Sequence, residues 1–151
     1  MKIKRDKRDA IFSLLIRERA GWRCERCGKQ FERGAQNLHC SHLFGRRHRA
    51  TRWTSFGAVA HCIACHFYLT EHPLDFAIWI RKHLGSRADI AHRFSQTVAK
   101  FSKKDLASIY KHMKAEHAKM LNRRKEPNAA SWMEFEDAPE IAALDYRAQI
   151  A

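Results

Sequence analysis

The sequence predicts an α+β chain that is mostly helical, with one small irregular β part that zinc holds together. Three observations support this prediction. Apolar residues recur at helical spacing in four segments with recognisable start and stop residues. Only the short stretch of residues 36–44 has a strand-like character, enough for one or two strands. Two Cys-x-x-Cys pairs enclose that stretch, and four thiolates are the number that a closed tetrahedral zinc site requires.

The net charge of the chain is strongly positive and unevenly distributed. Lys and Arg outnumber Asp and Glu by 29 to 16, which gives +13 over 151 residues. Residues 126–151 carry six acids and one arginine, a net charge of −5, so residues 1–125 carry +18. A body this basic indicates a polyanionic partner, nucleic acid first and an anionic membrane surface second. The acidic tail is a separate feature that could dock on the basic body or on a partner.

The cysteines and the hydropathy pattern bear on the compartment. No apolar run approaches the roughly 20 residues that cross a bilayer. The charged N-terminus lacks the apolar stretch of a signal peptide. Four of the five cysteines lie in Cys-x-x-Cys pairs, which suit a reducing compartment and metal binding better than a disulfide framework. We therefore expect a cytoplasmic protein with no membrane partner.

Two helices have clear start and stop signals. The N-terminal helix is predicted over residues 9–20, with Asp9 as its N-cap and Gly21 as its stop. A later helix is predicted to begin at Pro73, a residue favoured at the first helical position, and to end at Gly85.

Two further helices are predicted from capping residues. Ser86 and Asp89 resemble a capping box, and Ser102 and Asp105 repeat the same spacing. The second of these helices is predicted to run about twenty residues, to Leu121, with an apolar stripe on one face. That stripe could pack on its own domain or form a homodimer interface.

These segments divide the chain into four parts. The predicted parts are an N-terminal helix (1–21), a zinc-bound core (22–72), a C-terminal helical region (73–122) and the acidic tail (123–151).

The two cysteine pairs predict a structural zinc site. Cys24 and Cys27 form one pair and Cys62 and Cys65 the other, with 34 residues between the pairs. A redox dithiol or buried thiols would leave the shared spacing of the two pairs unexplained. Cys40 could be a fifth ligand or a buried neighbour of the site.

Histidines inside this frame are candidates for hydrolytic chemistry. Ser41 and His42 lie between the pairs, and His66 directly follows the last cysteine. A metal-dependent hydrolase needs a base that takes a proton from water and a cation near the scissile phosphate. Neutral imidazole can act as the base near pH 7, and imidazole can also hold a second metal.

An arginine-rich run next to these histidines predicts phosphate binding. It contains Arg46, Arg47, Arg49 and Arg52, followed by Trp53. Such a run is usually a solvated loop, but here it lies beside the candidate active-site residues in a strongly basic body. Contacts with the phosphate backbone read shape rather than base sequence. Trp53 could stack on an unpaired base or belong to the core.

At the level of motifs, the central stretch resembles a known nuclease class. The order Cys-x-x-Cys, an internal His, then Cys-x-x-Cys-His is similar to that of HNH (ββα-metal, treble-clef) nucleases. Residues 40–53, CSHLFGRRHRATRW, resemble the signature of the phage lambda NinG (Rap) recombination endonucleases. The cysteine layout is also similar to that of phage endonuclease VII, a dimeric Holliday-junction resolvase. The resemblance covers roughly residues 20–122 and is specific at 24–66.

The resemblance implies roles for two histidines. His42 matches the general base that activates water. His66 matches the final ligand of a catalytic divalent metal, Mg²⁺ or Mn²⁺, where these families usually have Asn. A structural Zn²⁺ on the four cysteines is implied as well.

Other positions differ from the pattern of the family. Ser41 stands where many HNH enzymes have a metal-binding Asp or His, and Gly57 stands where a middle Asn usually positions the base. His48 and Glu71 are candidates to supply a missing ligand, and Glu71 also lies near the position of a functional carboxylate in endonuclease VII.

The resemblance therefore implies a structure-specific DNA endonuclease that acts on branched recombination intermediates, such as a Holliday junction or D-loop. Two symmetric cuts in a junction would suit a homodimer. The alternatives are a less selective HNH nicking nuclease and a zinc-stabilised DNA-binding accessory protein of recombination.

Overall fold

The computed structural model describes residues 5–150, with side chains described through Leu144. Residues 1–4 and 151, which the predicted N-terminal and tail segments include, lie outside the described residues. About half of the chain is helical and one small antiparallel sheet has two strands, which confirms the predicted α+β class. The elements are α1 (Lys7–Arg19), β1 (Leu38–His42), β2 (Ala58–Cys62), α2 (Ile63–Glu71), α3 (Pro73–Leu84), α4 (Ser86–Ser95), α5 (Lys103–Arg123) and α6 (Pro139–Ile150).

Helix α1 begins slightly earlier than predicted, and its cap is a different residue. Asp6, not Asp9, is the N-cap, and its carboxylate accepts a hydrogen bond from the Arg8 N–H at 2.8 Å. Asp9 lies in the first turn, where its side chain is buried. After the helix, Gly21 has a φ of +60°, and a Cβ there would lie 2.6 Å from the Ser131 carbonyl oxygen. Both the backbone and the close neighbour require glycine at this stop.

The two strands and α2 follow one another closely. β1 and β2 pair so that Leu38 lies opposite Cys62 and His42 opposite Ala58. Cys62 ends β2 and is also the N-cap of α2, since its sulfur accepts from the Cys65 N–H at 3.5 Å. α1 packs on the sheet through Phe12 and other fully buried apolar residues. A β-β-α unit on a long helix therefore forms the centre of the molecule.

The later helices follow their local signals only in part. α3 begins at Pro73 and ends before Gly85, as predicted. α4 has no side-chain cap bond, because Gly85 is its N-cap and Ser86 already lies in the helix. Val98, three residues beyond the end of α4, is 83% exposed. No helix in the described part of the chain has both the length and the apolar character needed to cross a membrane.

Helix α5 has the predicted capping box between Ser102 and Asp105. Its apolar stripe packs on α1 and α6 of the same chain, and Ile109, Met113 and Met120 are buried there. The stripe is therefore part of the core and is not free to form the dimer interface considered from the sequence.

The acidic tail docks on the basic body. Met133, Phe135 and Ile141 are buried with the main core. Asp137 accepts hydrogen bonds from the N–H and the hydroxyl group of Ser55, at 2.6 and 3.3 Å. Arg124 also ties the tail to α1 through a 2.9 Å bond from its Nε to a carboxylate oxygen of Glu18. The tail therefore completes the fold through apolar contacts as well as charge.

Candidate functional site

Four cysteines form one compact cluster. The Sγ atoms of Cys24, Cys27, Cys62 and Cys65 all lie within 4.8 Å of one another. The Sγ atoms of Cys27 and Cys62 are 3.8 Å apart. Thiolates bound tetrahedrally at ~2.3 Å from one zinc ion would be separated by about 3.8 Å. A disulfide would need ~2.05 Å. The cluster therefore suits a structural metal such as zinc, as the sequence predicted.

Tight turns position these sulfurs. The Cys24 N–H donates to the Lys29 carbonyl and the Gly28 N–H donates to the Cys24 carbonyl, both at 2.9 Å. Gly28 adopts a φ of +78°, which favours glycine at this turn. Arg26 Nη1 donates to the Cys65 sulfur at 3.6 Å. Cys40 is not a member of the cluster, so it is a neighbour of the site and not a fifth ligand.

A separate cleft of about 660 Å³ lies between α1, β1 and α2. Imidazole groups enter it from β1 and α2. Guanidinium groups enter it from the segment before α1, from α1 itself and from the loop after β1. Those side chains are His39, His42, His66, Arg5, Arg17 and Arg46. An open, positively charged cleft that contains histidines suits an anionic substrate more than an apolar one.

Two of the histidines form a close pair across the cleft. The Nδ1 atoms of His39 and His66 are 2.9 Å apart, and the rings meet edge to face. Burial, together with the field of His39, lowers the pKa of His66 below its ordinary value. Neutral imidazoles at this spacing can share a proton or bind one metal ion through both nitrogens. His39 had no assigned role in the sequence analysis and is the principal residue that it missed.

His42 is held in one orientation by the backbone. Its Nε2 lies 3.2 Å from the Arg52 carbonyl oxygen, which accepts a hydrogen bond when Nε2 carries the proton. The opposite nitrogen, Nδ1, has no hydrogen-bond partner in the described part of the chain, and the ring lines the cleft. Burial lowers the pKa of His42, although the Arg52 carbonyl and Asp9 act in the opposite direction. The ring is therefore neutral near pH 7, with a lone pair available on Nδ1.

Asp9 fixes the loop that holds His42. Its carboxylate accepts from Arg52 Nε at 3.0 Å and Nη2 at 2.7 Å, and from Trp53 Nε1 at 2.9 Å. Burial alone would raise the pKa of Asp9, but the hydrogen bonds from Arg52 and Trp53 outweigh it and lower the pKa. Two predictions are corrected here. Trp53 is 2% exposed and cannot stack on a base, and Arg52 is engaged with Asp9 rather than free to bind a phosphate.

Gly57, directly before β2, leaves room for residues 51–54 of the preceding loop. A Cβ at Gly57 would lie 2.1 Å from the Thr51 carbonyl oxygen and 2.6 Å from the Thr54 hydroxyl oxygen. No larger side chain, and so no asparagine, fits this position without moving the loop. The Arg52 carbonyl orients His42 instead.

The remaining predicted residues divide into exposed arginines and residues outside the cleft. Arg46, Arg47 and Arg49 are exposed, and Arg46 also lines the cleft, with a 3.5 Å contact to Asp9. The structure leaves these three arginines available to an anion.

Three predicted catalytic residues do not line the cleft. Ser41 is 2% exposed in the middle of β1, opposite Val59, because the sheet and its packing cover it. His48 packs against the Phe44 ring at a centroid distance of 6.0 Å. Glu71 is exposed at the last turn of α2, five residues beyond His66. None of the three is therefore positioned to bind a metal ion together with His66.

Of the site residues that were not predicted, one had a signal in the sequence and the others had none. His39 lies on the same short strand as His42 and between the two cysteine pairs, and this position was the available signal. The spacing of three was not a signal, because side chains alternate between the two faces of a strand. Asp9, Arg5 and Arg17 reach the cleft from the N-terminal segment, and no local motif indicated that contact.

No family model, curated protein or solved structure matches the chain.

Proposed function

We propose that this chain is a metal-dependent DNA endonuclease of the HNH (ββα-metal) class that cuts branched recombination intermediates. The observation that supports it most is the convergence of His42 with the His39–His66 pair in one cationic cleft. The order β1-β2-α2 beside a four-cysteine cluster is compatible with the treble-clef core of that class. The branched substrate rests on the resemblance of residues 40–53 to the NinG (Rap) signature.

In this proposal His42 is the general base. Its Nε2–H donates to the Arg52 carbonyl, so the Nδ1 lone pair can accept a proton from a water molecule in the cleft. The water oxygen then attacks the phosphorus and the bond to the 3′ oxygen breaks, leaving a 5′ phosphate. The leaving oxygen takes a proton from solvent. Because burial lowers the pKa of His42 below its ordinary value, the base is neutral near pH 7.

His39 and His66 are the residues that would hold a catalytic divalent cation. Their Nδ1 atoms, 2.9 Å apart, are close enough to bind a single ion. Such an ion, when bound, supplies positive charge to the scissile phosphate and its leaving oxygen. Two imidazoles favour Mn²⁺ or another transition metal over Mg²⁺, which prefers oxygen ligands.

The phosphate backbone would follow the arginines at the edge of the cleft. Arg46 extends from the cleft, and Arg47 and Arg49 continue the exposed basic loop. These side chains bind phosphates without regard to base sequence. An enzyme that recognises the shape of a branch needs contacts of this kind.

A second candidate function is a zinc-stabilised DNA-binding protein that cuts nothing. One observation favours it: in the described part of the chain, the four cysteines are the only group of three or more potential metal ligands that lie together. Among the described residues, no third Cys, His, Asp or Glu side chain joins the His39–His66 pair. A substrate phosphate and water would have to complete the coordination of a catalytic ion.

A cleavage assay separates these functions. We expect the purified full chain to nick a labelled four-way junction in Mn²⁺ or Mg²⁺, and His42→Ala to lower the rate about 10²- to 10⁴-fold by removing the base. His48→Ala is the matched control, because His48 lies outside the cleft, and it should cut within about threefold of wild type.

Three other outcomes are informative. Equal cutting of linear duplex and junction would indicate the less selective nicking nuclease. Salt-sensitive binding with no cleavage in any divalent metal would indicate the accessory protein. Cleavage that His42→Ala leaves unchanged would exclude the general-base role.

A further inference from the structure

Phe67 is a large aromatic side chain that the fold leaves in solvent beside the cleft. It is 62% exposed on α2 and directly follows His66, which lines the cleft. The two rings are nearly parallel, with an interplanar angle of 13° and centroids 6.3 Å apart. Phe67 therefore presents a flat apolar face at the rim of the site, where the proposed chemistry would occur.

The neighbouring residues on α2 extend this apolar rim. Ile63, one helical turn before Phe67 and on the same side of the helix, is 41% exposed. On the opposite side of α2, Cys65 and Leu69 are buried and fix the helix against the sheet and the cysteine cluster. The exposed aromatic face is therefore carried by a rigid element and cannot easily turn inward.

An aromatic face next to a cationic cleft fits a nucleobase. The arginines of the cleft attract the phosphate backbone, while an unstacked base offers a planar π-face to an aromatic ring. In a continuous duplex each base is already stacked between its neighbours and paired, so it has no face to offer. Where strands part, one or more bases are free, and an aromatic residue at the rim can stack on them.

We propose that Phe67 stacks on an unpaired nucleobase of the strand whose phosphate enters the cleft, and thereby selects DNA that is unpaired beside the cut. This inference rests on the proposed function for its choice of DNA and of the cleft. It adds a residue that discriminates between substrates and a chemical reason for the discrimination. The selected feature is a free base and not a particular sequence, because every base has a π-face.

The test measures binding in a buffer with no added Mg²⁺ or Mn²⁺, so that no cut is made, and with no chelator, because a chelator would remove the structural zinc. Fluorescence anisotropy would give the Kd of the full chain for a three-way junction with two unpaired thymidines at the branch. A fully paired linear duplex of the same length is the second probe. We expect Phe67→Ala to weaken binding to the junction about 5- to 150-fold, the range for loss of one base–aromatic stack. Binding to the paired duplex should change less than about twofold.

Three matched variants make the result specific. Phe67→Leu keeps an apolar side chain without a π-face and should behave like Phe67→Ala, whereas Phe67→Trp should bind the junction at least as tightly as wild type. Leu74→Ala removes a side chain on α3 that is 79% exposed and does not line the cleft, and it should bind both probes like wild type. The inference is overturned if Phe67→Ala weakens binding to both probes equally or to neither, or if Phe67→Leu binds like wild type.

The binding assay also separates this inference from the proposed function. If wild type binds but never cuts, the endonuclease proposal fails, while the difference between the two probes still decides the role of Phe67. If wild type cuts the junction and the Phe67 variants bind it unchanged, only the stacking inference fails.

Discussion

The cysteine cluster and the histidine cleft lie on the same small sheet but are built in opposite ways. The cluster takes two sulfurs from a tight turn and two from the junction of β2 with α2, and it is mostly buried, with Cys24, Cys62 and Cys65 inside the protein. The cleft takes its side chains from α1, β1, the arginine loop and α2, and it is open to solvent. The ligands of the cluster therefore come from two short segments, residues 24–27 and 62–65. The side chains of the cleft come from several elements that only the whole fold brings together.

This difference predicts which property of the protein a substitution in each site would change. A closed metal cluster contributes directly to folding, so its loss removes the structure. An open cleft is assembled on a fold that exists without it, so changes in the cleft should alter binding and chemistry more than stability. Single substitutions that report on both properties can test this division.

The largest effect is expected at the cluster. Cys65→Ser should prevent zinc binding and unfold the β-β-α unit, because structural zinc contributes roughly 10–16 kcal/mol and a whole domain has only about 5–15 kcal/mol of net stability. Zinc content by mass spectrometry and thermal unfolding by circular dichroism would measure the loss.

Cys40→Ser is the control for the cluster. Cys40 lies on β1 and is not one of the four clustered cysteines. It should keep one zinc ion per chain and unfold cooperatively. A folded, zinc-free Cys65→Ser protein would contradict the structural role of the metal.

A smaller effect is expected from Asp9→Asn, which removes the charge that holds Arg52 and Trp53. We expect a loss of about 2–3 kcal/mol of unfolding free energy at pH 7, since a charged hydrogen-bonded partner is lost from a buried position. Cleavage should fall about 10- to 100-fold because the Arg52 carbonyl no longer positions His42. Zinc content should not change.

The pH dependence of Asp9→Asn has a definite sign. The folded pKa of Asp9 lies below its ordinary value of 3.8, so its contribution is present above that pH and is lost as the pH falls through the folded value. Urea unfolding should therefore show the two proteins converging in strong acid. A difference that grows as the pH falls would exclude the ion pair as its cause.

The smallest effect is expected where the tail docks. Burial raises the pKa of Asp137 to about 6, although its bonds from Ser55 act in the opposite direction. The folded state then holds the proton more tightly, so stability from this group is lost as the pH rises from about 4 to about 6. Asp137→Asn should consequently stabilise the protein by about 1–2 kcal/mol at pH 7.

The same Asp137→Asn comparison at about pH 3 supplies the control, because the aspartate is then mostly protonated in both the folded and the unfolded state, and urea unfolding should give nearly equal free energies. Destabilisation at pH 7 would show that the carboxylate charge itself holds the tail.

Features that depend on local spacing were predictable from the sequence. The cysteine pairs and the capping box of Ser102 and Asp105 each involve residues three apart in the chain, and both are present. The Ser86 and Asp89 pair has the same spacing but no cap bond, because Gly85 takes the capping position after α3. Local spacing alone does not show which neighbour the chain uses.

Features that depend on distant contacts were not predictable in the same way. Asp9 looked like a cap because of its position before an apolar run, yet Trp53 and Arg52, more than forty residues later, determine its role. His39 gained its role from α2 through the pairing of β1 with β2. Burial of Trp53 and exposure of Phe67 likewise follow from the packing of the whole chain.

The docked tail has a consequence for access to the cleft. A mobile run of carboxylates on a basic protein can act as an internal imitation of DNA and occupy the arginines that a substrate needs. Here two of the tail carboxylates bind elsewhere, Glu134 to Arg87 and Asp137 to Ser55, and no described tail residue lines the cleft. The anchored tail residues therefore leave the arginines that line the cleft open to an anion from outside the chain.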